Sequence, residues 1–268
     1  MSLHLLKQVE LLDAHPQIAG NSGKYPTALN NLVISQILLR QYTEARQTIG
    51  KLRSIKFHSE EQDNYFFSIA NNLELFLYTA TGDFKNGILF LKSIHKEIKK
   101  RKIKDMYKDS QALSNFITSV LYFGAGDYHS SAKELHKLLN FFPDNVRNDL
   151  HCFAKIFSLV VHYELGNTDL LEHLTRSVYR YLYKRNKIFK FEFIVLNFIR
   201  NKLPGITSKS QLIDAFVELK KEIKKISGNL IERKAFDYFD FISWLESKIE
   251  NRSFEEIVRE KANKKISS

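Results

Sequence analysis

The sequence predicts an all-α fold, arranged as a right-handed α-solenoid of about six antiparallel helix hairpins within a single domain spanning residues 1–268. Three observations support this prediction. The chain contains only ten Gly and four Pro, which are too few for the many turns of an all-β fold. Apolar residues recur with helical spacing on both sides of a short turn motif. That motif returns about every 42 residues, as in proteins built from repeats.

The turn motif is clearest at residues 77–84 and 121–128, which both begin with Leu-Tyr and end with Gly, Asp and an aromatic residue. We expect Gly82 to take the left-handed backbone conformation that closes a helix. We expect Asp83 or Asp127, in its own copy, to accept hydrogen bonds from the N–H groups at the start of the next helix. Each copy of the motif therefore predicts a tight connection between two helices.

Weaker copies extend this pattern along the chain. The last residue of each copy serves as its marker, and the markers stand at positions 42, 84, 128, 168, 211 and 254. A small residue follows three positions later in the first three copies, where it would let two helices approach closely: Ala45, Gly87 and Ser131.

The markers divide the chain into hairpins of a first and a second helix. First helices are predicted near 26–40, 60–81, 106–124, 146–165, 187–202 and 229–250. Second helices are predicted near 42–56, 84–101, 128–141, 168–185, 209–226 and 254–264. The corresponding units lie near 24–57, 60–104, 105–143, 146–186, 187–226 and 229–265.

Residues 1–16 look like half a unit. A helical segment runs to Pro16, much as the third unit ends at Pro143. A repeat array that begins with half a unit leaves an apolar face uncovered. We therefore expect the chain to be part of a longer protein with further repeats upstream.

The third unit carries the residues of a known repeat: Gly126, Asp127, Tyr128, Ser131 and Pro143. These residues resemble the tetratricopeptide repeat, whose signature includes a Gly-Asp-Tyr-x-x-Ala turn and a closing proline. The sequence departs from that family in its step, which is about 42 rather than about 34 residues. The small residue in the middle of the first helix is also missing from most units. A HEAT-type or other α-solenoid is the neighbouring alternative.

This resemblance implies a non-enzymatic scaffold that binds a protein or peptide partner in a groove lined by first helices. Asparagines recur in those helices, and an Asn side chain can hold a peptide backbone through its paired donor and acceptor. The groove candidates are Asn31, Asn72, Asn115 and Asn197. The alternative interpretation is that these asparagines lie on solvent-exposed helix faces, where Asn is common, and bind nothing.

The charge suggests a second function. The chain has 41 basic and 30 acidic residues, a net charge of +11, and basic clusters fall at the ends of second helices. If these ends are aligned, they form a basic ridge that could face nucleic acid, an acidic protein segment or an anionic membrane. Tyrosines interleave with the cations near residues 176–190, which favours nucleic acid among these partners. The alternative is that the cations complement helix dipoles. The ridge candidates are Lys99, Lys100, Arg101, Arg176, Arg180, Lys184, Arg185, Lys187, Lys221 and Lys224.

The sequence offers no motif for catalysis. It lacks a His-Glu-x-x-His site, a dinucleotide or phosphate-binding glycine loop and a nucleophile elbow. Its one cysteine, Cys152, lies inside an apolar helical segment. We therefore expect no enzyme activity, no cofactor and no metal. The first ten residues lack the features of a secretory signal, and no apolar run approaches about 20 residues. The predicted location is the cytoplasm.

Overall fold

The computed structural model describes residues 2–14, 23–101, 103, 107–143, 147–185, 189–229, 232 and 234–264. Within these ranges all regular structure is helical and no strand occurs, which confirms the predicted all-α class. The described helices group into two compact units, Met1–Leu121 with Ala262–Ser268 and Tyr122–Lys261. No helix in the described ranges has both the length and the apolar character needed to cross a bilayer.

The helices begin and end close to the predicted positions. The earlier helices are α1 (Ser2–Ala14), α2 (Lys24–Leu38), α3 (Tyr42–Ser54), α4 (Glu60–Thr81), α5 (Phe84–Lys100) and α6 (Lys108–Gly124). The next are α7 (Tyr128–Phe141), α8 (Asn148–Glu164), α9 (Thr168–Lys184), α10 (Lys190–Asn197) and α11 (Lys209–Ile226). The last are α12 (Lys234–Tyr238), α13 (Phe241–Glu250) and α14 (Phe254–Asn263).

Five of the connections share one turn geometry. A residue with positive φ ends the first helix in each case: Arg40 (59°), Gly82 (71°), Gly126 (80°), Gly166 (69°) and Asn251 (53°). The N–H of the following residue then bonds back to a carbonyl five positions earlier, as from Asp83 to Tyr78 at 3.0 Å. This is the Schellman arrangement, which satisfies the last carbonyls of a helix. The turn chemistry of the motif is therefore present at five of the six markers.

The aspartates of the two strongest copies differ in their side-chain partners. Asp127 accepts the N–H of Ser130 at 2.9 Å, as predicted for a helix N-cap. Asp83 instead accepts from the side chain of Asn86 at 3.0 and 2.9 Å and makes no capping bond to the backbone. The capping prediction is therefore right for Asp127 and wrong for Asp83.

The connection before marker 211 has a different structure. The helix α10 is followed by a π-helical turn, Phe198–Lys202, and a short 3-10 helix, Leu203–Gly205. Pro204 lies in that 3-10 helix and cannot donate a backbone hydrogen bond, so the α-helix cannot continue through it. Ser208 and Gln211 then form a capping box that starts α11. The predicted first helix near 229–250 is likewise divided, into α12 and α13.

In the first unit, α2 packs against α1, α3 and α4, and α4 packs against α3 and α5. The core contains fully buried side chains such as Leu29, Val33 and Ile49. Gly87 allows α5 to approach α4 closely, because a Cβ at this position would lie 3.0 Å from the Cβ of Tyr78. These contacts join each hairpin to its neighbour.

The second unit has an aromatic core in which the end of the chain returns to an earlier helix. The ring of Phe157 on α8 lies 4.5 Å from that of Phe239. Trp244 on α13 donates to Glu164 of α8 at 2.6 Å, although the two residues are 80 positions apart. In a linear array each hairpin contacts only its neighbours. The predicted regular solenoid therefore does not describe the contacts of this unit.

Candidate binding groove

An open cavity of about 520 Å³ lies in the second unit, where α9 faces α10 and the π-helical turn. Its volume is within the range of about 300–1,000 Å³ that is typical of ligand sites. The side chains contributed by α9 are His173, Thr175, Arg176, Tyr179 and Arg180. Those contributed by α10 and the π-helical turn are Phe193, Leu196, Asn197, Arg200 and Asn201. We call this cavity the α9–α10 groove.

The sequence of α9 explains its contribution. Val178 and Leu182 are buried and hold the helix against the core. Arg176 and Arg180 are four residues apart, so they share another face of the helix, and both are exposed. The helix is thus fixed by its apolar face and presents two guanidinium groups to the groove.

The other wall is built by α10 and the π-helical turn. Phe191 and Val195 of α10 are buried, whereas Phe193 is 55% exposed. A π-helical turn contains an extra residue relative to an α-helical turn, and such turns are frequent at functional sites. In this turn Arg200 is exposed and its guanidinium lies 6.0 Å from the ring centre of Tyr179.

The described lining residues make polar contacts with residues four positions away in the chain. Arg176 forms an ion pair with the exposed Glu172 at 2.6 Å, and the Nε of Arg180 lies 3.4 Å from the carbonyl oxygen of Arg176. Asn201 donates to Asn197 at 2.6 Å. Among the described residues, the lining contains three arginines and one histidine and no carboxylate. Such a cavity favours an anionic ligand.

The predicted asparagines are placed in different environments. Asn197 lines the α9–α10 groove. Asn72 is buried and donates to the backbone and side-chain oxygens of Ser110 at 3.0 and 3.2 Å, so its amide serves contact between helices. Asn31 is exposed on α2 and accepts from the Asn30 side chain at 3.2 Å, and Asn115 is half-buried on α6. Of the four predicted residues, Asn197 is the one in the groove.

Two of the three predicted basic residues of the first unit lie beside carboxylates of the same unit. Arg101 pairs with Asp63 at 2.6 Å and with Glu97 at 3.2 Å, and its guanidinium lies 4.4 Å from the ring centre of Phe67. Lys100 is exposed and lies 4.0 Å from Glu97. Lys99 is exposed on the same helix.

In the second unit, Arg176 and Arg180 line the groove and Lys184 is exposed on the last turn of α9. Arg185 is half-buried, with its guanidinium 4.5 Å from the ring centre of Tyr181. Lys221 is exposed on α11. The Nζ of Lys224 lies 3.9 Å from a carboxylate oxygen of Glu246. Lys187 lies outside the described residues. A ridge that runs through all these positions stays a prediction.

Sequence reasoning missed Phe193, Arg200 and Asn201. They lie on one helical face with Leu196 and Asn197, at spacings of three, four, seven and eight residues from Phe193. The mixed face that runs from α10 into the π-helical turn is a usable signal, because amides and an arginine lie there beside an aromatic residue. The groove combines a second helix with the following first helix, so neither helix by itself indicates it.

A pair of buried carboxylates fixes the start of α10. Glu232 accepts the backbone N–H groups of Lys190 and Phe191, both at 3.0 Å. Glu192 accepts the N–H of Phe189 at 3.1 Å. Burial, aided by the neighbouring Glu232, raises the pKa of Glu192 to about 7, although the hydrogen bond from Phe189 acts to lower it. The N-terminus of α10 is therefore held by two carboxylates, one of which titrates near neutrality.

Among the described residues, no three or more His, Cys, Asp or Glu side chains are arranged so that they could hold a metal ion. Comparison of the chain with protein-family profiles, with curated proteins and with solved structures finds no match. The class that the structure defines is an all-helical protein with an open, basic groove in its second unit.

Proposed function

We propose that the protein is a non-enzymatic interaction protein that binds a short segment of a partner protein in the α9–α10 groove. The observation that carries this proposal is the mixed lining of the groove. Beside the bond between them, Asn197 offers its amide nitrogen as a donor and Asn201 its amide oxygen as an acceptor, a pair that matches a peptide backbone. Phe193 offers an exposed apolar surface of the kind that anchors a partner side chain.

We also propose that the chain is a tetratricopeptide-like repeat protein and that its first unit forms the right-handed α-solenoid typical of that architecture. The support comes from the shared Schellman turns, such as those at Gly82 and Gly126, and from the neighbour-to-neighbour packing of α1 to α5. In this proposal the last hairpin departs from the array by packing on α8. The groove then forms where the regular turn is replaced by the π-helical turn.

The test is selection of binding peptides from a displayed random library, followed by affinity measurement on groove variants. Phe193→Ala and Asn197→Ala should each weaken the selected peptides about tenfold or more, because both remove a contact in the groove. Phe141→Ala is the matched control, since Phe141 is 72% exposed on α7 and does not line the groove. Circular dichroism checks that each variant folds.

The control should change affinity less than about twofold, as expected for an exposed side chain away from the site. Two results would contradict the proposal: no peptide is enriched, or the enriched peptides bind the groove variants as tightly as they bind the unmodified protein.

Binding of single-stranded nucleic acid is the second candidate function. The specific observation in its favour is the stacking of Tyr179 on Tyr183, with ring centres 6.0 Å apart, beside Arg200. Aromatic side chains next to arginines are the usual platform for unpaired bases. A labelled oligouridylate should then bind at about 50 mM salt and lose affinity steeply at about 200 mM. Absence of binding at the lower salt concentration ends this candidate.

A further inference from the structure

We infer that the segment bound in the α9–α10 groove is acidic and carries two carboxylates separated by one residue. This inference rests on the proposed function and adds the chemical class of the ligand. It is carried by the position and the present contacts of Arg176, Arg180 and Arg200 in the described part of the groove.

No carboxylate occurs among the described residues that line the groove, which include three arginines. One of these arginines, Arg176, is paired with a carboxylate outside the lining, that of Glu172. The nearest ion pair, between Arg176 and Glu172, has both side chains more than half exposed, 57% and 73%. An exposed pair of this kind contributes little to stability. A ligand carboxylate can therefore replace Glu172 at small cost.

The other two arginines keep hydrogen-bond donors for a ligand. The described contact of Arg180 is a long one, at 3.4 Å, from its Nε to the carbonyl of Arg176. Arg200 is held by the ring of Tyr179, and a cation–π contact of this kind leaves the edge of the guanidinium able to donate. The planar guanidinium then matches the two oxygens of a carboxylate.

The spacing of the arginines sets the spacing of the acids. Arg176 and Arg180 are one helical turn apart, so their Cβ atoms are separated by about 5–6 Å. Alternate side chains of an extended peptide point in the same direction and lie about 6.6 Å apart along the chain. An acid-x-acid segment therefore presents one carboxylate to each arginine.

The apolar part of the lining favours a peptide over a polynucleotide. Phe193 and Leu196 form an apolar wall beside the arginines, and such a wall suits an aliphatic or aromatic side chain next to the acids.

The experiment uses the full chain and the same displayed library, with the composition of the selected peptides as the first measurement. We expect Asp and Glu to be enriched severalfold over Asn and Gln at two positions separated by one. A labelled selected peptide and its Asn/Gln counterpart are then compared by fluorescence anisotropy. The acidic peptide should bind at least tenfold more tightly.

Arginine variants give the second measurement. Arg180→Gln and Arg200→Gln should each weaken the acidic peptide about tenfold and leave the affinity of the Asn/Gln peptide within about twofold, which a double-mutant cycle reports as coupling. Lys184→Gln is the matched control, because it removes the same charge from the exposed end of α9 outside the groove lining. It should leave both affinities within about twofold.

Three outcomes overturn the inference. If the selected peptides need Phe193 and Asn197 but show no preference for acids, the ligand class is wrong while the proposed function stands. If no peptide is selected at all, both fail together. If no acidic peptide binds, but oligouridylate binds and its binding depends on Arg180 and Arg200, the groove binds nucleic acid.

Discussion

At the scale of single residues, two glycines in helices show how differently the fold uses one residue type. Gly87 lies in α5 where a neighbouring helix is close, and a Cβ added there would meet Leu121 Cδ2 at 2.6 Å and Tyr78 Cβ at 3.0 Å. Gly50 lies in α3 with no atom within 4 Å of an added Cβ. Gly87 is therefore required by packing, whereas Gly50 only loosens its helix.

Replacing each glycine by alanine tests this difference. We expect Gly87→Ala to lower the free energy of unfolding by about 1–3 kcal/mol, because the added methyl group forces neighbours to move. Gly50→Ala should raise it by up to about 1 kcal/mol, because alanine restricts the unfolded chain and favours the helix. Urea unfolding followed by circular dichroism measures both. Changes of the same sign in the two variants would contradict this account of Gly87.

The asparagines show the limit of reasoning from single positions. Asn72 and Asn197 both lie in predicted first helices, and the sequence assigns them the same role. Asn72 is buried against Ser110, while Asn197 lines an open groove. The difference depends on which helix lies opposite each residue, and helical periodicity does not report the neighbour.

At the scale of elements, the start of α10 depends on two buried carboxylates. Glu192 has a pKa raised to about 7 by burial, from an ordinary value near 4.5 in the unfolded chain. A carboxyl group whose pKa is higher in the folded state stabilises the fold below about pH 4.5. It loses that contribution as the pH rises through about 7.

This titration predicts the effect of Glu192→Gln. Between pH 4.5 and 8, the unmodified protein should lose up to about 3 kcal/mol of unfolding free energy relative to the variant.

Asp149 is a buried carboxylate with the opposite shift. Burial by itself would raise the pKa of Asp149, but hydrogen bonds from Arg147 and Tyr238 outweigh it and bring the pKa to about 2.

Asp149→Asn is the control for this measurement, which uses urea unfolding at a series of pH values. The effect of Asp149→Asn should stay constant over the same range, because the pKa of Asp149 lies below it. A difference curve for Glu192→Gln that is flat across the range would show that Glu192 is already ionised in the folded protein.

At the scale of the whole molecule, the second unit differs from a linear array in how it should unfold. Phe157 on α8 contacts Phe123 and Phe239, with ring centres 5.3 and 4.5 Å away. The same helix α8 holds Trp244 of α13 through Glu164. A substitution that destabilises α8 should therefore also destabilise the surroundings of Trp244. This residue is the one tryptophan of the chain, so its fluorescence reports on this region.

Phe157→Ala tests this coupling. We expect a loss of about 3–5 kcal/mol in the free energy of unfolding, so the urea midpoint of Trp244 fluorescence should fall. Leu170→Ala, at a position 44% exposed on α9, should change stability by less than about 0.5 kcal/mol. If Trp244 kept its midpoint in Phe157→Ala, α13 would unfold independently, as a linear array of repeats allows.

The sequence by itself determined the helices and five of the turns that join them, because these depend on local chemistry. Helical spacing of apolar residues sets each helix, and a residue such as Gly82 or Gly126 closes it with a left-handed turn whatever lies nearby. The departure at residues 198–205 also has a local cause, Pro204, although its effect on the groove does not follow from the proline alone.

Only the tertiary structure decided that Trp244 meets Glu164 and that Arg200 lies against the ring of Tyr179. These contacts join segments that are far apart in the chain, and they form because the surfaces fit and their burial offsets the entropy lost on closing long loops. Such fits depend on shape and on many neighbours at once. A repeat pattern specifies the hairpins, but it leaves open which hairpin the end of the chain will cover.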